Sequence, residues 1–86
     1  MKHAGPATLT LLEPLLVQLR SCGGLIERTP GSFYKKSKAY LHFHDDPAGL
    51  FADVKLDAST FTRLEVTTQA QQKMLLALVA QNLTGN

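Results

Sequence analysis

The sequence predicts an α+β domain: a helix, an antiparallel meander of four to five short strands, and a closing helix, with both helices packed on one face of the sheet. Three observations carry this. Leu12, Leu15, Leu16 and Leu19 recur at helical spacing; from Leu25 to Val66 the apolar period falls to two, with turn residues at short intervals; after Thr68 the helical period returns through Leu75, Leu78, Val79 and Leu83. A chain of 86 residues has room for one domain with a thin core, because at this size only roughly 60 to 65% of the unfolded surface is hidden on folding.

Taken in order, residues 1–9 hold Gly5 and Pro6 without periodicity and read as a flexible leader. The domain then runs over residues 10–84, and residues 85–86 form a frayed tail. Thr10-Leu11-Leu12-Glu13 fits a capping box, with Pro14 tolerated in the first turn, where its missing N–H would have had no helical partner. Gly23-Gly24 supplies the left-handed conformation that ends a helix, which places the first helix over about residues 11–22. Turn signals at Pro30-Gly31-Ser32, Ser37-Lys38, Asp45 to Gly49 and Asp57-Ala58-Ser59 then divide the middle of the chain into strands. The clearest are residues 39–44 and 50–56. Thr68-Gln69-Ala70-Gln71 is a second capping box, opening the last helix.

In the two clear strands Ala39, Leu41 and Phe43 alternate with Tyr40, His42 and His44, and Leu50, Ala52 and Val54 alternate with Phe51, Asp53 and Lys55. The short link through Pro47 and Gly49 makes them an antiparallel hairpin. The register that joins the apolar sets pairs Phe43 with Leu50, Leu41 with Ala52 and His42 with Phe51. A slip of one residue would bury Asp53 and Lys55, so the faces are strongly specified. The face away from the core is expected to hold Tyr40, His42, His44, Phe51, Asp53 and Lys55, joined by Phe33 and Lys35 or by Tyr34 and Lys36, depending on the preceding turn.

Composition excludes several classes. Nine Lys and Arg against seven Asp and Glu give a net charge of +2, far from the dense basic excess of a dedicated duplex binder. Cys22, the single cysteine, cannot form an internal disulfide or a cysteine-based zinc knuckle, and it points to a reducing compartment. Glu13, Pro14, Gln18 and Arg20 interrupt the first apolar stretch, so it does not read as a signal peptide, and no run approaches a membrane span. A cytoplasmic protein that does not engage membrane is expected. The glycines form no phosphate-binding loop, and no cofactor is expected.

Two patterns carry chemistry. His42 and His44 share a strand face about 7 Å apart at the backbone, and Asp53, Asp45 or Asp46 can supply an oxygen donor beside them. That arrangement suits a shared metal, or a proton transfer near neutral pH. No nucleophile elbow accompanies it, and Cys22 reads as a small boundary residue, so His42, His44 and Asp53 are candidates for metal binding or catalysis set against the plainer reading of a solvated strand face. Secondly, Phe33 to Tyr40 interleaves aromatics with lysines, a combination that stacks bases and neutralises phosphates; aromatics and lysines also suit strands and sheet edges for their own reasons. Leu76, Ala80 and Leu83 widen the stripe of the last helix, which is as compatible with a second subunit as with closing a small core.

The stretch from Arg28 to Tyr34, continuing from Ala39 through His42-Phe43-His44-Asp45-Asp46-Pro47-Ala48-Gly49-Leu50-Phe51-Ala52-Asp53 to Val54, resembles small bacterial proteins with a histidine-rich hairpin of the form HFHxDPxGLFAD. More distantly it resembles bacterial domains labelled luciferase-family, which have a helix, a histidine-containing sheet and a closing helix. The chain lacks the longer insertion of those domains. What the resemblance implies is that the hairpin from His42 to Asp53 is the recognisable feature.

These readings converge on a non-enzymatic binding or interaction module that takes a protein or small ligand on its open sheet face, through Phe33, Lys35, Tyr40, His42, His44, Phe51, Asp53 and Lys55. The alternatives are a metal-assisted or acid–base enzyme, or a subunit of one, centred on His42, His44 and Asp53, and a binder of single-stranded nucleic acid.

Overall fold

Strand β1 (Lys2–His3) leads into helices α1 (Pro6–Leu11) and α2 (Glu13–Arg20). Strands β2 (Ile26–Thr29), β3 (Ser32–Lys35), β4 (Lys38–Asp46), β5 (Gly49–Val54) and β6 (Thr62–Glu65) follow, and helix α3 (Gln69–Thr84) comes last. The computed structural model describes residues 2–57 and 59–84; the frayed tail expected at residues 85–86 lies outside them. The strands form one open antiparallel sheet in the order β2-β3-β4-β5-β6. Strand β1 lies along the same edge of β4 as β3 but further on: β3 pairs with Lys38 to Leu41, and β1 with His44 and Asp45.

The α+β class and the covering of one sheet face agree with the apolar periods. Leu12, Leu15, Leu16 and Leu19 from the helical N-terminal segment, Leu75 and Val79 from α3, and Phe33, Leu41, Phe43, Ala52 and Val54 from the strands form a single buried cluster. The second capping box is made: Gln71 N–H donates to Thr68 Oγ1 at 3.1 Å, and Thr68 N–H donates to Gln71 Oε1 at 2.9 Å.

Three expectations are corrected. The first helix is two helices with a break at Leu12, because Pro14 cannot donate to the carbonyl of Thr10 and its ring would crowd that carbonyl. Thr10 therefore sits inside α1, where its hydroxyl bonds the Pro6 carbonyl at 3.0 Å, and no capping box forms there. The leader is also structured: β1 pairs with β4, Ala4 N–H reaches the Phe43 carbonyl at 3.1 Å, and α1 begins at Pro6.

The third correction is the hairpin register. Strands β4 and β5 pair Leu41 with Val54, His42 with Asp53, Phe43 with Ala52 and His44 with Phe51. That is two residues from the expected register, so every side chain keeps its face but changes its partner. The strands run on through Asp45 and Asp46 to a two-residue link, Pro47-Ala48, because both acids find bonds where they stand. Thr8 donates to Asp45 Oδ2 at 2.6 Å on the helix side, and Asp46 Oδ1 accepts from Ala48 N–H at 2.9 Å. Gly49, at φ +145°, then begins β5.

Candidate metal centre on the open sheet face

The period of two in β4 puts His42 and His44 on the face away from the helices, and the pairing with β5 sets Asp53 directly across from His42. Strand β1 adds His3, paired with His44. Three imidazoles thus meet: His42 and His44 lie 4.9 Å apart between ring centroids, His3 and His44 4.9 Å, and His3 and His42 5.7 Å. Strand β6 adds Arg63, the cross-strand partner of Asp53. Its guanidinium grips the carboxylate with two bonds, Nε to Oδ1 and Nη2 to Oδ2, each 2.7 Å.

Asp53 is buried, yet it is held ionised. The Arg63 guanidinium pulls its pKa below the ordinary carboxylate value, against the opposing effect of burial. His42 is shifted down, first by burial and then by the neighbouring His44, which keeps its ring in the neutral form that binds metals. Each Asp53 oxygen retains lone-pair capacity beyond the Arg63 bond. Oδ2 lies 3.0 Å from His44 Nε2, but not in hydrogen-bond alignment.

That misalignment leaves three ring nitrogens, His42 Nδ1, His44 Nδ1 and His44 Nε2, buried without a hydrogen-bond partner. Buried polar atoms are nearly always paired, so three orphans in one cluster need an account. One donor atom from each of His42, His44 and Asp53 lies within 4.8 Å of the others. Ligands about 2.0 to 2.2 Å from a shared ion sit roughly 3 to 4 Å apart, so small imidazole rotations would close the set. Imidazole and carboxylate donors suit zinc, iron, nickel or copper rather than calcium or magnesium.

The expected site residues divide. His42, His44, Phe51 and Asp53 share the open face near β6, and Phe51 faces both His44 and Glu65 across its neighbouring strands. Lys35 and Lys55 lie toward the β3–β4 turn, in a separate concavity. Phe33 and Tyr40 are not on the open face: they are 1% and 3% exposed within the core. For Tyr40 the cause is a bulge. Phe33 pairs with Leu41 and Tyr34 with Ala39, so Tyr40 is the extra residue in β4. It turns towards α3, where its hydroxyl donates to Asn82 Oδ1 at 2.8 Å.

His3, Arg63 and Phe61 escaped the sequence reading. Phe61 stacks on His42, with centroids 5.1 Å apart and planes at 17°. Arg63 had a usable signal, since the apolar Leu64 packs against the core and parity then puts Arg63 on the face of Asp53. His3 had none, because a two-residue strand is too short to show a period. Comparison with family models, curated proteins and solved structures gives no match to the chain.

Proposed function

We propose that this protein is a binding module that holds a late first-row divalent metal on its open sheet face, through His42, His44 and Asp53, in a reducing, cytoplasmic setting. The observation that carries the reading is the cluster of buried imidazole nitrogens without hydrogen-bond partners beside an ionised, Arg63-anchored carboxylate. A metal would take up one imidazole lone pair from each of His42 and His44, and Arg63 would fix the carboxylate that completes the set, as outer partners orient metal ligands elsewhere. Positions not filled by these three groups would remain open to a small ligand or a protein side chain.

Binding is favoured over acid–base catalysis by the surroundings. Among the described residues no hydroxyl or thiol hydrogen-bonds either imidazole, and Cys22 instead contacts the Gln18 carbonyl. Asp53, held by Arg63, is a poor proton acceptor.

Calorimetric titration of chelator-treated protein with zinc and with nickel tests the reading. Saturable binding with about one ion per chain is expected, with a rise in melting temperature corresponding to about 2.7 kcal/mol at a hundredfold excess over Kd. The His42→Ala/His44→Ala variant should lose both effects while keeping its circular dichroism spectrum. Unchanged zinc affinity in that folded variant would overturn the assignment.

A further inference from the structure

Four of the six lysines, Lys35, Lys36, Lys38 and Lys55, surround one concavity of about 430 Å³ at the β3–β4 turn. This lies within the size range of small-ligand sites. Among the described residues none of these lysines has a carboxylate within ion-pair distance. The one acid on the rim, Asp57, is turned to its own loop: its carboxylate accepts from the backbone N–H groups of Ser59 and Thr60 at 2.8 and 2.9 Å. A chain with a net charge of only +2 thus gathers four lysines without ion-pair partners along the lining of a single concavity.

The concavity is also built. Its floor is the Tyr40–Asn82 pair, locked further by Asn82 Nδ2 donating to the Leu56 carbonyl at 2.7 Å. Lys35 Nζ stands 5.8 Å from the ring centroid of Tyr40, which lines the concavity, so this ammonium group is held over an aromatic face; Lys55 Nζ stands 4.9 Å from the ring centroid of Phe61, which does not line it. Lys36 is held differently: it and Ser37 form the two-residue turn with φ of +52° and +70°. Turns with both central residues at positive φ ordinarily use Asn and Gly, so the chain keeps a strained lysine at the lip of the cavity.

We infer that this concavity is a binding site for a compact oligophosphate, a ligand with two or three linked phosphate groups. Clustered ammonium groups act as point charges for phosphate oxygens, and a di- or triphosphate concentrates enough negative charge in a small volume to meet four of them. Single-stranded nucleic acid is the weaker match, because Phe33 and Tyr40 are covered and the half-buried Tyr34 ring is already occupied by the Arg28 guanidinium, 4.9 Å from its centroid. The site is distinct from the proposed metal centre, with Phe61 between Lys55 and His42.

The test is calorimetry of metal-free protein with pyrophosphate and with tripolyphosphate at an ionic strength of about 0.15 M, with sulfate as the control anion. Saturable binding, tighter for tripolyphosphate than for sulfate, is expected. The Lys35→Gln/Lys55→Gln variant should lose about tenfold or more in affinity, with the melting temperature as a check on folding. Lys73→Gln should bind as wild type does. Absence of saturation at millimolar tripolyphosphate, equal affinity for sulfate, or undiminished binding in the double lysine variant would overturn the inference. So would an oligouridylate that binds more tightly than tripolyphosphate, which would assign the lysines to nucleic acid.

Discussion

Phe61 lies nearly parallel to His42, their ring centroids 5.1 Å apart, and so forms one wall of the imidazole cluster from the loop before β6. Lys55 Nζ sits 4.9 Å from the centroid of the same phenyl ring. One side chain, 41% accessible, therefore packs against both a ring of the imidazole cluster and a lysine of the concavity.

The stack should be measurable. A double-mutant cycle of Phe61→Ala and His42→Ala, read by urea denaturation, should give a coupling of about 0.5 to 1.5 kcal/mol. Additive effects of the two substitutions would show that the rings are neighbours without interacting.

Tyr40 ties the bulge of β4 to α3. Tyr40→Phe removes the donor that serves Asn82 Oδ1 and should destabilise by about 1 to 2 kcal/mol. Tyr40→Ala, which also opens a cavity under α3, should lose about 3 to 5 kcal/mol. A Tyr40→Ala protein with the wild-type denaturation midpoint would restore this residue to the open face.

Ser37→Gly should raise stability. A residue with a β-carbon at positive φ carries roughly 1 to 2 kcal/mol of steric strain, and part of the relief is offset by the greater freedom of glycine in the unfolded chain. A net gain of about 0.5 to 1 kcal/mol is expected, measured as a shift of the chemical denaturation midpoint.

Glu27 gives a pH dependence with a defined sign. Its carboxylate accepts from Arg20 Nε at 2.6 Å and from the Gly31 N–H at 2.9 Å, joining α2 to the β2–β3 hairpin. The Arg20 bond first, and the Gly31 bond after it, pull the folded pKa below the ordinary glutamate value against burial. The stabilisation is therefore full above that ordinary value and is lost as pH falls through the lower, folded one. Between about pH 6 and about pH 3 the urea midpoint of the wild type should fall more than that of Glu27→Gln. Parallel declines would remove Glu27 from the acid sensitivity.

The element types from α2 onward, the two faces of the β4–β5 hairpin and the Thr68–Gln71 cap were legible in the sequence, because each rests on a period or a spacing of a few residues. Leu41, Phe43, Ala52 and Val54 alternate with His42, His44 and Asp53, and burial of charge forbids the opposite choice. Partners across strands were not legible, since a slip of two residues preserves every face: His42 meets Asp53 rather than Phe51 only because Asp45 and Asp46 are satisfied by Thr8 and Ala48 and let the strands run on. The same holds for Tyr40, sent into the core by one extra residue in β4. His3 reaches the imidazole cluster from β1, and Phe61 and Arg63 reach it from the stretch that enters β6; which side chains gather around His42 is settled by the packing of the strands, a long-range outcome that local spacing does not encode.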